Sequence, residues 1–378
     1  MKYRLPRINT CFKLGLLCLI IKTVFGTSNI LRIEGIADDL LSAAGSVFLF
    51  VSVLKKGCRP ITYCVYLALM VLAAYTSYKM GNLRMVMVTA LCVAANRQRI
   101  DDVVRFLLSY ETIFLLLHVL LALATSLFGK NNSVYMSGEM KYTFGFGHPN
   151  TFSCLLTNLL IMWSWLNYDR LKTSHVLTQV FIVLFFYIFT GTRTILLTVF
   201  IFAILFFYLK VSKRNLNLLL RYIIPMAVVC HLIAIPLYIG GNPIAVALNK
   251  ALSTRIKLGA YWYTQRGLSL LGQNIMDTNV TWDEVWQLAG SAPFDNIYTF
   301  LMINVGMVWL LVLSVLFYRT SLLKNAKYNL FLILWALYGV TEVHGINPVM
   351  LFPLLILAID VKKEKSETRL AERIGETP

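Results

Sequence analysis

Charge is scarce in this chain. Only 14% of its 378 residues are charged, where a soluble domain carries roughly a quarter, too few for the surface of a water-soluble fold. Metal and disulfide frameworks are missing as well. The seven cysteines (Cys11, Cys18, Cys58, Cys64, Cys92, Cys154 and Cys230) lie in or beside apolar segments and none forms a C-x-x-C pair. Neither a structural metal nor a disulfide scaffold is expected. The sequence has no Gly-rich Walker loop or Rossmann fingerprint, the patterns that carry nucleotides, and no internal repeat. No metal, nucleotide or other cofactor is expected.

What is present is apolar sequence in long blocks. Hydrophobic residues make up 58% and fall in segments near the ~20 residues that span a bilayer. About twelve spans are expected: 12–30, 36–54, 61–78, 82–96, 106–128, 148–168, 176–191, 193–209, 222–240, 296–318, 328–343 and 346–360. The first contains Lys22 and no small-residue cleavage site, so it is expected to be retained as a helix. The fold class is all-α, a polytopic integral membrane domain over 1–360. It carries one large extracytoplasmic loop, 241–294, and ends in a charged tail, 361–378.

A formal charge of +17 would suggest nucleic acid in a soluble protein. Here the basic residues gather in alternate connections, such as Lys55-Lys56-Arg59, Arg97-Arg99-Arg105, Lys210-Lys213-Arg214 and Arg319-Lys324-Lys327. The positive-inside bias accounts for them. Both termini and the tail are then cytoplasmic, and no nucleic-acid partner is expected.

The stretch from Val176 to Tyr208 has basic flanks on both sides. As one helix it would run roughly 50 Å against a hydrocarbon core of about 30 Å, so it is expected to cross twice. The only break is Thr190-Gly191-Thr192-Arg193. Each arm is then roughly 24 Å long, which predicts that Arg193 stays within the outer half of the membrane. That is costly unless the charge faces water or an anion.

The outer side should be poor in cations, so Arg193, Arg255, Lys257 and Arg266 draw interest. Apolar residues at 248, 252, 256, 260 and 263 predict one helix over Leu248–Leu271. Arg255 and Arg266 would share its face roughly 16 Å apart, with Gly259 and Trp262 between them. Paired guanidinium forks suit a pyrophosphate; snorkelling to lipid headgroups is the bland alternative. His148-Pro149-Asn150 opens a helix whose positive end suits an anion, although a histidine there can equally be a cap. Asp295, at Asp295-Asn296-Ile297-Tyr298, is either a general base or an N-cap. Trp282 and Trp286, after a Thr281-x-x-Glu284 capping box, read as sugar-stacking or interfacial residues. Glu342 and His344 read as a polar pair, and Glu111 with His118 as an intrabundle polar contact.

Four segments together resemble the Wzy-type O-antigen and capsular polysaccharide polymerases and, more distantly, the O-antigen ligases. They are Phe144–Asn150 with Thr151; Thr190-Gly191-Thr192-Arg193; Ser253-Thr254-Arg255-Ile256 leading to Leu271-Gly272; and Asp295-Asn296-x-Tyr298 leading to Gly306. The resemblance covers roughly residues 80 to 350. It implies a metal-independent glycosyltransferase in a bacterial plasma membrane, working on undecaprenyl-pyrophosphate-linked oligosaccharide, with membrane lipid and a chain-length regulator as partners. It implies that Arg193 and Arg255 hold the pyrophosphate and that Asp295 is the base. Arg266, His148, Asn150, Lys257 and Trp262 would be substrate-binding helpers. Two features depart from the family pattern. The ligases carry a histidine where Asp295 stands, and the family's Arg-x10-Gly spacing from Arg255 falls on Arg266, with Gly267 one residue further. A lipid-linked oligosaccharide flippase or other transporter is the rival reading.

The orientation is testable with single cysteines in a variant lacking the native seven. Ser212→Cys and Lys324→Cys should resist membrane-impermeant thiol reagents in intact cells, and Asn279→Cys and Ser291→Cys should label. Labelling of the first pair would reverse the orientation.

Overall fold

The computed structural model describes residues 8–54, 60–96, 98–129, 132–136, 138–212, 215–275 and 294–359. Trp282, Trp286, the Thr281–Glu284 capping box and the tail from 361 lie outside these residues. Six of the described helices are long and apolar enough to cross a membrane, so the protein is a multi-pass, helical membrane protein. Its described residues form two units, one taking in 8–67, 86–212 and 347–359, the other 68–85 and 215–346. Two helices divide between them, α3 (Pro60–Met80) and α4 (Arg84–Ala95).

The first unit begins with α1 (Thr10–Gly26) packed on α2 (Ile36–Leu54). A Cβ on Gly15 would stand 2.7 Å from the Leu49 side chain and 2.9 Å from the Gly45 carbonyl. Small residues bring the two backbones together, which favours association where lipid removes the hydrophobic drive. The 28-residue α5 (Ile100–Leu127) packs on α1 and on α6 (Pro149–Leu166). Between α5 and α6 lies an antiparallel hairpin, β1 (Ser133–Met136) and β2 (Glu139–Tyr142). The helical hairpin expected over 176–208 is present as α7 (Thr173–Thr190) and α8 (Arg193–Ser212), broken at Gly191-Thr192.

Buried polar groups join this unit across long sequence distances. The Asn158 amide donates to Glu111 Oε2 at 3.0 Å and to the Val349 carbonyl at 2.8 Å, and its oxygen accepts from Phe352 N at 2.8 Å. Asn347 Nδ2 donates to Thr23 Oγ1 at 3.2 Å, and Asn96 donates to the Ala358 carbonyl. Together these hold the segment 347–359. A twelfth spanning helix over 346–360 does not form there. Pro348 and Pro353 interrupt it, and what remains is a seven-residue 3₁₀ helix, Phe352–Ala358, which rises only about 14 Å. Glu111 and His118 do make intrabundle contacts, but with different partners. Glu111 meets Asn158, whereas His118 Nε2 lies 2.9 Å from Ser28 Oγ and its ring stacks on Phe146 at 4.1 Å.

The second unit is built around α9 (Asn217–Ile239). Against it pack α10 (Pro243–Ala251), α11 (Arg255–Arg266), α12 (Met307–Ser321) and α13 (Ala326–Tyr338). The span expected at 296–318 is discontinuous. A short turn at Ile297–Thr299 runs into a π-helix, Phe300–Val305, and stops at Gly306 before α12 resumes. The irregular chain from Gly267 to Ile275 fills the break. Ser269 N donates to the Met302 carbonyl, and the carbonyls of Ser269 and Leu270 accept from Met307 N at 2.9 Å and Val308 N at 3.2 Å. Gln273 and Asn304 exchange further bonds, with Gln273 N donating to the Asn304 carbonyl and Asn304 Nδ2 to the Gln273 carbonyl. The orphan donors at the start of α12 are thus satisfied by protein, as hydrocarbon surroundings demand.

Gly306 makes this junction possible, with φ at +116° and a would-be Cβ only 2.5 Å from the Leu270 carbonyl oxygen. Gly306→Ala should sharply reduce folded protein in detergent, whereas Gly35→Ala serves as its control. Gly35 has φ at +58° with nothing within 4 Å of a Cβ, so it should lose only the ~1–2 kcal/mol of a left-handed alanine. Equal thermal stability of the two variants would show that the Leu270 contact does not hold the junction.

Candidate functional site

In the first unit two of the motif segments meet. Phe144 adopts φ of +52°, uncommon for a bulky residue, and is held by stacking on Phe152 at 4.2 Å. The turn it begins delivers His148 to the N-cap of α6, where Nδ1 accepts from Asn150 N at 3.1 Å and Pro149 takes the first helical position. This is the capping role weighed for His148. Its Nε2 is buried with no hydrogen-bond partner among the described residues. Forty-two residues later, Thr192 Oγ1 donates to Asn150 Oδ1 at 3.2 Å. Gly191 ends α7 in the left-handed conformation, its N–H on the Tyr187 carbonyl at 2.8 Å. The stem of Lys141 from β2 lies over Gly191, so that a Cβ there would be 2.9 Å from Lys141 Cε.

The result is two helix N-termini, those of α6 and α8, brought side by side with Lys141 and with Arg193 exposed in the first turn of α8. Both helix dipoles turn their positive ends to this place, and an anion is the ligand such a place favours. The arms of the α7–α8 hairpin are longer than expected, at 18 and 20 residues, about 27 and 30 Å. The polar residues Thr173, Ser174 and His175 join α7, and Lys210 through Ser212 join α8.

In the second unit the helix expected over Leu248–Leu271 is two helices. Ser253 and Thr254 both take left-handed conformations, φ +50° and +68°, and separate α10 from α11. Asn249 stabilises the break, accepting from Thr254 N on its carbonyl and from Lys257 N on its side chain, each at 2.8 Å. Arg255 and Arg266 are the first and last residues of α11. Gly259 and Trp262 do not lie open between them but face inward. A Cβ on Gly259 would be 2.8 Å from the Thr299 methyl, and Trp262 is fully buried with its ring 5.9 Å from Phe294. Trp262 is therefore a packing residue in this arrangement.

Arg255 is drawn inward as well. Its Nε donates to the Thr341 carbonyl at 2.6 Å and one terminal nitrogen to the Leu252 carbonyl at 3.1 Å. The other stands 3.8 Å from Glu342, with the two side chains 12% and 4% exposed. Glu342 thus meets Arg255, a partner that the sequence pairing with His344 did not suggest. Arg266 donates to the Ile275 carbonyl at 3.3 Å, and Lys257 is exposed. Asp295 is half-buried, and the cap of the next helix is its neighbour. Asn296 Oδ1 accepts from Thr299 N at 2.7 Å and from Thr299 Oγ1 at 2.8 Å.

Sequence reasoning missed Lys141 and Thr192 as members of the first cluster. The signal for Lys141 was available, since Ser137-Gly138 between two four-residue runs is a hairpin signature. Nothing local marks Thr192 as a partner of Asn150. Compared with known proteins, the chain matches no family model, no curated protein and no solved structure.

Proposed function

We propose that the chain is a polysaccharide polymerase. It transfers a lipid-pyrophosphate-linked glycan chain onto a lipid-linked oligosaccharide repeat unit at the outer face of a bacterial plasma membrane. The observation that carries this reading is the 3.2 Å bond between Thr192 and Asn150. It joins two segments singled out separately in the sequence and gathers two helix N-termini, Lys141 and the exposed Arg193. Such a place suits a diphosphate, whose oxygens take both fixed dipoles and a bidentate guanidinium fork. No metal is needed in this scheme, because the leaving diphosphate is stabilised by fixed cations. The connection 241–294 is proposed to lie outside the cell and the basic connections inside.

Arg193 is assigned to the diphosphate and Asp295 to the acceptor hydroxyl, whose proton it would take as the hydroxyl attacks the sugar carbon bonded to the diphosphate. The N-cap of the following turn is Asn296 and not Asp295. Arg255 serves the reading less directly, since its fork is already turned to Thr341 and Glu342. Lys257, Arg266, His148 and Asn150 remain supporting groups, and a chain-length regulator is the expected protein partner.

One feature favours the transporter reading. Discontinuous helices with irregular backbone packed at the break are common in transporters, and the junction at Gly306 is of that kind. The purified chain in liposomes carrying lipid-pyrophosphate oligosaccharide separates the two. Lengthened glycans without lipid crossing the bilayer support the polymerase; crossing without lengthening supports the flippase.

Two substitutions test the assignments at normal protein levels. Arg193→Lys keeps the charge but not the fork, and it should shorten or abolish polymer; full-length polymer would leave Arg193 without the assigned role. Asp295→Asn keeps a hydrogen-bonding side chain but cannot take a proton. Chain extension should fall by roughly 10²- to 10⁴-fold with membrane expression unchanged, and wild-type polymer length would remove Asp295 from the mechanism.

A further inference from the structure

The β1–β2 hairpin has two unlike faces. Its register pairs Tyr135 with Met140 and Ser133 with Tyr142, and alternation along each strand puts these four on one face. Tyr135, Met140 and Tyr142 are 71%, 56% and 53% exposed. The opposite face pairs Val134 with Lys141 and carries Glu139 near the turn, and Lys141 reaches back over Gly191. These large side chains are left open by the described residues of the first unit.

The surroundings of the hairpin identify what covers this face. Tyr142 meets Phe189 of α7 edge-on at 6.1 Å, and Phe189 meets Phe185 at 5.3 Å. Phe185 and Ile188 are themselves exposed on a helix apolar enough to cross a membrane. At the same open end the hairpin is tied to the last turns of α5. Asn132 Nδ2 donates to the Ala122 carbonyl at 2.7 Å, and the Asn132 carbonyl accepts from Thr143 N at 2.9 Å. There Leu127 and Phe128 are 87% and 90% exposed. The apolar face of the hairpin thus runs through Tyr142 onto the exposed apolar end of α7, and its base is tied to α5 near a second exposed apolar end. Tyrosine favours the depth where ring and hydroxyl meet acyl chain and headgroup together.

We propose that the hairpin is an interfacial anchor, its Tyr135–Met140–Tyr142 face seated in the headgroup boundary of the leaflet that meets the α7–α8 turn. Lipid then presses the hairpin from one side and fixes, on the other, the strand that lays Lys141 over Gly191. The proposal stands apart from the polymerase reading, since it needs only a bilayer.

Spin labels on the full chain in phosphatidylcholine vesicles test it, in the background lacking native cysteines. Labels at Tyr135→Cys and Met140→Cys should collide with oxygen, which concentrates in lipid, in preference to a water-soluble nickel chelate. A label at Glu139→Cys should show the opposite preference, so the oxygen-to-nickel ratio differs severalfold between neighbours. Ser133→Cys, a small change on the same face, gives an independent reading if a larger substitution disturbs the hairpin. Nickel preference at 133, 135 and 140 alike overturns the proposal. If lipid-linked oligosaccharide then shields those labels, the face belongs to glycan instead.

Discussion

A bilayer offers no water to a backbone amide, and the least regular parts of this chain are organised by that constraint. Straight helices meet it automatically. The places where the chain departs from helix are those where specific protein groups take over the duty of solvent. The first turn of α12 receives the carbonyls of Ser269 and Leu270, and the buried 3₁₀ segment receives the amide of Asn158. The break before α12 is matched by a second segment whose own backbone is left open at that point. Gly267–Ile275 and Phe300–Gly306 are such a matched pair, each irregular where the other needs it.

This pairing explains which parts of the fold are legible in the sequence. Apolar blocks with basic flanks located α2, α3, α7 and α8 to within a few residues, because length and hydropathy act within one segment. The Gly191 break was visible for the same reason, a chain too long to cross once. Beyond residue 240 the reading weakened. Periodicity across 248–263 suggested one helix, but Asn249 supports a turn whose left-handed Ser253 and Thr254 are unfavourable in isolation. The run from 347 to 359 is apolar enough to read as part of a span, yet it is held against α5 and α6, where Asn158 bonds its backbone at Val349 and Phe352. Hydropathy reports an apolar environment and does not distinguish lipid from protein.

The site residues divide along similar lines. His148 and Asn150 were found because a proline and glycines announce a helix start. Arg193 was found because a cation stands alone between apolar arms. The partnership of Arg255 with Glu342 spans 87 positions, and no local pattern encodes it. Asp295 and Asn296 are near-equal capping residues by type; only the three-dimensional turn decides that Asn296 faces Thr299. Chemistry at a helix end is thus predictable as a class of residue and not as a particular one.

The hub at Asn158 also has a bearing on biogenesis. Two of its three partners lie at Val349 and Phe352, beyond the described residues of the second unit in chain order. During synthesis α5 and α6 enter the membrane with Glu111 already available to that amide, while its carbonyl oxygen and second N–H wait. They remain without these protein partners for nearly two hundred further residues of translation. The first unit therefore closes only after residues 215–346 have been made, and its completion depends on the segment 347–359 reaching a polar seat prepared long before.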